Sequence, residues 1–566
     1  MSTLRVAAAQ FHVNADLEGN LARSLKAVDE AAEGGARLVV LPEFCNHLSW
    51  YQDKTHCWNV SVDLDGPWLG ALSAKAQEHG IYLVINATVR RGPEVVTGTS
   101  LLYDPNGSLL AESDKQVLMG HENDFLRRAQ KECPIVDTPI GRIGMYSCMD
   151  GVINETPRSL ALRGAQILCN SLNSFAYDEG DLHVPVRGPE NRVWIVAANK
   201  VGPLIPEPML QPVSEATHIP VHHLYGAGDS QVVAPNGEVL ARGDRSSSSV
   251  VFADIDPTAA DDKTRPDGTD IFASRRPELY QAIGQPLVPQ DYKLGATEAR
   301  AAVYQPAAVG LNAIEEVTSV LTTLPNDVAL LVLPELFCFS NSQMGSDAQA
   351  ASDRSDTAID AIVANCPAHA VVVTSLVRDN QHTGMVLSSN GVLLEQPQLH
   401  ACARHGAQHA QGRNIEVLEL SWGRLAVIVG DDALYPESFR LAAFAGAEVV
   451  AAPVHVIEAW EVQTGLPERA AENRLSLVYA TRPGVGTSAV LGLHDDFTLL
   501  SEWRERVFDG NISSPLVTRA SSSPGLTVGT IHPAAAANKM ISSNTHLVDG
   551  RPWHLVDAIT GASNHV

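Results

Sequence analysis

The stretch GRIGMYSCMDGVINETPRSLALRGAQIL runs from Gly141 to Leu168, and GRLAVIVGDDALYPESFRLAAFAGAEVV runs from Gly423 to Val450. The two align without a gap. Each reads as an apolar strand, a short turn, a helix with an Arg in its first turn (Arg158, Arg440) and a closing Gly (Gly164, Gly446). Where the first stretch ends its strand on Cys148, the second has Gly430. This predicts one working thiol site and one duplicate without a nucleophile.

Working outward, the repeat spans the chain. Arg37-Leu38-Val39-Val40-Leu41-Pro42-Glu43 is echoed by Leu330-Leu331-Val332-Leu333-Pro334-Glu335, and Pro189-Glu190-Asn191-Arg192-Val193 by Ala471-Glu472-Asn473-Arg474-Leu475. Asp256-Pro257 to Arg276-Pro277 is echoed by His532-Pro533 to Arg551-Pro552. The separation between matching positions shrinks slowly along the chain, as changes in loop length would make it. A period this long is a duplicated domain, not a solenoid. We therefore expect a first domain over 1–285, a linker over 286–297 that contains Pro286, Pro289 and Gly295, and a second domain over 298–566.

Composition agrees with two packed domains. The chain has 566 residues, 45% of them hydrophobic, and a formal charge of −25 from 65 acidic and 40 basic residues. That charge argues against nucleic acid or an anionic membrane as partner. The eight cysteines include no C-x-x-C pair and no zinc-ligand spacing, so the thiols read as reduced. Met1 to Arg5 leads straight into a strand pattern without a signal-peptide core, and no apolar run is long enough for a membrane span. A cytoplasmic enzyme is the expectation.

The pattern alternates strands and helices. Val6 to Phe11 reads as a strand, and Leu21, Leu25, Val28 and Ala32 recur at helical spacing. Leu38 to Leu41 is a continuous apolar run, suited to a central strand covered on both faces. Asp104-Pro105-Asn106-Gly107 between Leu101–Tyr103 and Leu109–Ala111 is a hairpin signal. The fold class is α/β, with mixed sheets and helices outside.

Cys148 ends an apolar strand ahead of a turn into a helix, where α/β sheets expose reactive groups. A thiol there needs a base and donors for an oxyanion. Glu43 at the end of a buried strand is the candidate base. Lys115 follows the hairpin, and Glu122, seven residues later, is either a partner that holds it or another surface acid.

These motifs together resemble the nitrilase superfamily of carbon–nitrogen hydrolases. A Glu follows a "VLPE" strand, a Lys follows the hairpin and a Cys ends a "G-R-I-G" strand, here Glu43, Lys115 and Cys148 in the family's order. Arg187, Glu190-Asn191 ahead of Val196-Ala197-Ala198-Asn199, and the Arg275–Tyr280 closure match as well. The resemblance implies two tandem α-β-β-α sandwich domains. It implies an intrachain pseudo-dimer, paired through the Glu155–Arg163 and Glu437–Ala445 helices, with further homo-oligomerisation open. It implies that Cys148 attacks an amide, carbamoyl or nitrile carbon, that Glu43 moves the protons, and that Lys115 with the N–H of Met149 holds the oxyanion. Glu122 resembles the family's auxiliary glutamate, and the resemblance implies that no metal or organic cofactor is required. Cys148-Met149-Asp150 is closer to amidases and carbamoylases than to the Cys-Trp-Glu of nitrilases. Tyr51, Asn173 and Phe175 are candidate substrate contacts. In the second half Glu335 is kept, the nucleophile slot is Gly430, and the lysine slot, near Leu399-His400, holds no lysine. The competing readings are a nitrilase and a non-catalytic binding protein.

Overall fold

Leu38–Val40 shows no alternation because both of its faces are covered. In the computed structural model, which describes residues 3–288, 290–341, 344, 347–405 and 411–561, this strand (β2) lies between parallel neighbours. It pairs with Val6–Ala8 of β1 (Leu4–His12) and with Tyr82–Val84 of β3 (Tyr82–Gly92). All three β2 side chains are fully buried. Each such burial stabilises by about 1.5–3 kcal/mol. β4 (Val95–Tyr103) and β5 (Leu109–Asp114) continue the sheet antiparallel. Their hairpin turns where predicted: Asp104 Oδ1 accepts from the N–H groups of Asn106 and Ser108, and Gly107 takes a φ of +78°.

A second sheet is built from β6 (Val136–Thr138), β7 (Gly141–Ser147), β8 (Ile167–Ser171) and β9 (Trp194–Ala198). After β10 (Lys200–Val201), which returns to β1, it is completed by β11 (Gln231–Val233) and β12 (Val239–Arg242), in the order β12-β11-β9-β8-β7-β6. β13 (Ser249–Ile255) closes antiparallel on β1. Alternation sorts the faces. Ala7, Ala9, Val39 and Leu41 pack with Val28, Ala31, Leu69 and Leu72 from the helices Leu17–Glu33 and Pro67–His79. The opposite face meets the second sheet, which the helices Glu155–Leu162 and Val184–Asn191 cover. The result is the expected α-β-β-α sandwich.

A second compact unit repeats this topology, except that β10 has no counterpart among the described residues. β14 (Ala299–Gln305), β15 (Val328–Glu335) and β16 (Val371–Arg378) are parallel, and β17 (Gln381–Ser388) and β18 (Gly391–Pro397) are antiparallel. Its other sheet runs β19 (Val417–Leu420), β20 (Gly423–Val427), β21 (Val449–Val454), β22 (Ser476–Thr481), β23 (Ala489–Gly492), β24 (Leu516–Arg519), and β25 (Gly525–Ile531) closes on β14. The two paired motifs of the repeat meet in each unit. Fully buried Arg158 donates to the carbonyl of Glu190 (3.0 Å), and fully buried Arg440 to that of Glu472 (3.3 Å).

The compact units do not follow the division at 285 and 298. Unit 1 comprises 1–263, 496–513 and 540–566, and unit 2 comprises 264–495 and 514–539. The reason is polar. Within unit 2, Arg265 pairs with Asp431 and Glu461, Arg275 with Glu437, and Arg276 donates to the carbonyls of Leu399 and Gly412. The stretch expected as a linker is strapped down too: the N–H of Gly295 donates to Glu448 and that of Ala296 to the carbonyl of Trp422. Pro289 lies outside the described residues. Among the described residues, no helix is long and apolar enough to cross a membrane.

Candidate functional site

β7 ends on Ser147, and the chain then turns through Cys148 into the short helix Met149–Val152. Cys148 has φ 47° and ψ −111°, a region that costs a non-glycine residue about 1–3 kcal/mol. Several contacts hold the turn there. The Cys148 N–H donates to the carbonyl of Ser171 (3.0 Å), with Asn170 Oδ1 at 3.2 Å, and the Gly151 N–H returns to the Cys148 carbonyl (2.7 Å). Buried Arg187 donates to the carbonyls of Gly151 (2.8 Å) and Val152 (3.1 Å) and pairs with Glu190 (2.7 Å). Asp150 ties the turn to the next loop: its carboxylate accepts from the N–H groups of Gln116 (3.0 Å), Val117 (2.7 Å) and Ser147 (3.3 Å). Burial pushes its carboxyl up to about 7.

Lys115 is therefore set beside the turn. Its Nζ lies 2.8 Å from Glu43 Oε1 and 2.9 Å from Glu122 Oε2, and neither Lys115 nor Glu43 reaches solvent. Glu122 also accepts from the Met119 N–H (2.9 Å). Glu43 follows β2 and Pro42, and its N–H donates to the carbonyl of Leu172 (3.1 Å). Its Oε2 has no hydrogen-bond partner among the described residues. Burial pushes the Glu43 carboxyl up to about 7, and Lys115 pulls it back. Burial alone would lower the Lys115 pKa, but Glu122 and Glu43 outweigh it and hold it well above the ordinary lysine value. The Cys148 thiol is raised, by burial first and by the Glu43 charge second. At rest the site thus holds a protonated thiol, an ammonium and a carboxyl poised near neutrality.

A pocket opens over Cys148, Met149 and Glu122 and includes Asn173 and Phe175. Tyr51, also expected there, does not line it. It is buried, with its ring 5.3 Å from that of Phe125, among Phe44, Cys57 and Val96. Its neighbour Trp50 lines the pocket instead.

Two features were not anticipated. The first is the far wall, which comes from residues hundreds of positions later: Leu499, Ile512, Ser513, Ile541 and Ser542. The loop 496–513 is anchored by Asp178, whose Oδ2 accepts from the N–H groups of Ile512 (3.0 Å) and Ser513 (2.6 Å). The hairpin Met540–His546 is anchored by Thr545. Its Oγ1 accepts from the Gly120 N–H (2.7 Å) and donates to the Leu118 carbonyl (3.0 Å). The second is Lys200, which comes after β9 and Asn199 and pairs with Phe11 of β1. Its Nζ is fully buried and has no hydrogen-bond partner among the described residues. Burial lowers its pKa to about 8, opposed by Glu43 and the thiols of Cys45 and Cys148. A lysine shortly after that strand was the visible signal.

Unit 2 carries the same framework with other groups. Asp432 accepts from the N–H groups of Leu399 (2.8 Å) and His400 (2.8 Å), as Asp150 does from Gln116 and Val117. That register puts Gln398 at the place of Lys115, one residue before the expected Leu399-His400. Gly430 has φ +52°, close to the 47° of Cys148, so the turn persists without its strain-bearing side chain. An arginine supplies a cation: Arg404 Nη2 lies 3.2 Å from Glu335 Oε1 and 2.7 Å from Asp431.

Residues 5–263 match the family model described as carbon-nitrogen hydrolase. The chain is similar to a nitrilase of Pyrococcus abyssi, 26% identical over 262 residues, 46% of this chain and 92% of that protein. It is also similar to an omega-amidase of Danio rerio, 28% identical over 274 residues, 45% of this chain and 89% of that one. Among solved structures, an amidase from Nesterenkonia sp. aligns at 25% identity and a TM-score of 0.41, covering 50% of this chain and 96% of that one.

Proposed function

Given that the chain belongs to the carbon–nitrogen hydrolases of the nitrilase superfamily, and is an amidase-type enzyme, we propose that unit 1 hydrolyses small amides through a thioester on Cys148. The observation that carries this reading is the buried Glu43–Lys115–Glu122 chain of 2.8 and 2.9 Å contacts beside a strained cysteine turn. Glu43 takes the thiol proton as Sγ attacks the amide carbon. The oxyanion is held by Lys115 Nζ and the N–H of Met149. Glu43 then gives that proton to the nitrogen, the C–N bond breaks, and ammonia or an amine leaves. Water attacks the thioester, its proton passes through Glu43 to Sγ, and the acid departs. Glu122 positions the ammonium. Preorganised charge in a dry site is the main source of rate.

The pocket walls bear on the substrate. No Arg or Lys is among the pocket-lining residues, whereas Glu122, Asp178 and Glu179 are. An amide carrying a carboxylate finds no Lys or Arg counter-ion on these walls, only the imidazoles of His121 and His183, so neutral amides and those with an amino group fit better. Buried Phe508 packs against Phe175, ring centroids 6.2 Å apart, and Leu499, Ile512 and Ile541 supply the apolar part of the far wall.

The test is turnover on a panel of neutral, cationic and anionic amides, N-carbamoyl compounds and nitriles, with intact-mass detection of the acyl adduct. Cys148→Ala should abolish turnover and adduct while keeping the fold. Wild-type turnover in that variant would refute the assignment, and a preference for anionic amides would refute the pocket argument.

A further inference from the structure

Position by position, the remnant site of unit 2 has exchanged a catalytic set for a ligating one. Glu43 corresponds to Glu335, Lys115 to Gln398 and Cys148 to Gly430. The N–H of Lys115 donates to the Gly98 carbonyl (2.8 Å), and that of Gln398 to the His382 carbonyl (2.8 Å), so a histidine stands where unit 1 has Gly98. His405 follows Gln398 by seven residues, as Glu122 follows Lys115. The ammonium that unit 1 holds between two carboxylates is absent, and two imidazoles flank the retained glutamate.

These groups converge. One candidate ligand atom from each of Glu335, His382 and His405 lies within 4.8 Å of the others, and all three residues are buried. His405 Nε2 is 3.4 Å from Glu335 Oε1, and the rings of His382 and His405 are 4.6 Å apart. Glu335 Oε2 and His405 Nδ1 make no hydrogen bond among the described residues, although Glu335 is fully buried. Unsatisfied buried groups of this kind are costly, and a bound ion removes the cost.

We propose that Glu335, His382 and His405 form a binding site for a divalent transition-metal ion of the zinc class in unit 2. Two imidazoles and one carboxylate suit zinc and its late first-row neighbours better than magnesium or calcium. His382 is already oriented by its 2.7 Å contact between Nδ1 and Gln398 Oε1, the outer-shell bond that ligating histidines usually make. Its Nε2 faces Ser375 Oγ at 2.8 Å, a hydroxyl that can rotate aside. Donor atoms around a tetrahedral zinc sit about 3.3 Å apart, so closing the site needs roughly an ångström of side-chain movement. Gly430 keeps the space open: a Cβ there would fall 2.9 Å from both Glu335 Oε2 and His382 Cε1.

Charge favours a cation. Arg404 touches Glu335 and also pairs with Asp267 and Asp431, Arg265 pairs with Asp431 and Glu461, and buried Arg482 donates to the Glu335 carbonyl, so four carboxylates face three guanidiniums around the cluster.

The test uses the full chain, stripped with a chelator and titrated with Zn2+ or Co2+ alone, followed by calorimetry and by the visible ligand-field bands of cobalt. One equivalent should bind to wild type and to Cys148→Ser. His405→Ala and Glu335→Gln should each weaken binding by at least about tenfold and erase the cobalt bands. His405→Gln, the milder loop change, should do the same. Absence of binding to wild type, binding untouched by both His405 variants, or binding lost in Cys148→Ser would each overturn the proposal.

Discussion

Replacing Lys200 by Met should make the protein more stable and the enzyme worse. The Lys200 side chain is fully buried and its ammonium lacks a hydrogen-bond partner among the described residues. Its pKa falls from 10.5 to about 8 because burial penalises the charge. At about 1.36 kcal/mol per unit, that shift is a destabilisation of up to ~3 kcal/mol. Below pH 8 the lysine is protonated in both folded and unfolded chains, and the full penalty applies. Between pH 8 and 10.5 the folded lysine sheds its proton while the unfolded one keeps it, so wild-type stability rises across that window. Methionine has similar volume and no charge, so Lys200→Met should unfold at higher denaturant than wild type at pH 7, with the gap closing above pH 8. The cost falls on chemistry. Lys200 favours the ionised Glu43 carboxylate. Without it, the acid limb of kcat/KM against pH, which should lie near 7, moves to higher pH. Lys200→Arg should restore the limb. Equilibrium unfolding at several pH values and pH–rate profiles on one amide check both halves. A variant less stable than wild type at pH 7, or an unmoved acid limb, would refute the reasoning.

Two further outcomes follow from the geometry. Thr545→Val keeps shape but leaves the buried Gly120 N–H unpaired, about 1–3 kcal/mol, while the Leu118 carbonyl keeps its bond from Asn123 Nδ2 (3.1 Å), and should loosen the Met119–Glu122 loop. Steady-state kinetics should show kcat/KM down about tenfold with Cys148 still alkylated at saturating reagent, and unchanged kinetics would detach the C-terminal hairpin from the site. Gly430→Cys should destabilise unit 2 by about 1–3 kcal/mol, from a non-glycine φ of +52° and the 2.9 Å approach to Glu335, and should create no second active site. Thermal unfolding and turnover in a Cys148→Ala background test it, since turnover there would show that Gln398 suffices in place of Lys115.

The framework of each unit was legible because it is local. Alternation and apolar runs placed β1, β2 and β7, the Asp104–Gly107 turn placed its hairpin, and a gapless repeat paired Cys148 with Gly430. Glu43, Lys115 and Cys148 were legible as motifs at strand ends, where backbone direction alone decides what meets. Tyr51 misled, because Trp50 and Tyr51 are adjacent aromatics and only packing against Phe125 decides which of them faces the pocket. The lysine slot of unit 2 was read one residue late, because the register is set by the Asp432 contacts and not by counting from the hairpin. Nothing in residues 496–513 or 540–546 announces a pocket wall. They have no period, and their places are fixed by long-range hydrogen bonds, among them those to Asp178, Gly120 and Leu118. The same holds for Thr264–Gln285, which ion pairs draw into the other unit, and for the Glu335–His382–His405 cluster, whose members come from three separate segments. Sequence by itself determined the elements, because propensity and periodicity act over a few residues. Tertiary structure decided the composition of the pocket and of the second site, because long-range hydrogen bonds and ion pairs join residues whose separation along the chain carries no signal.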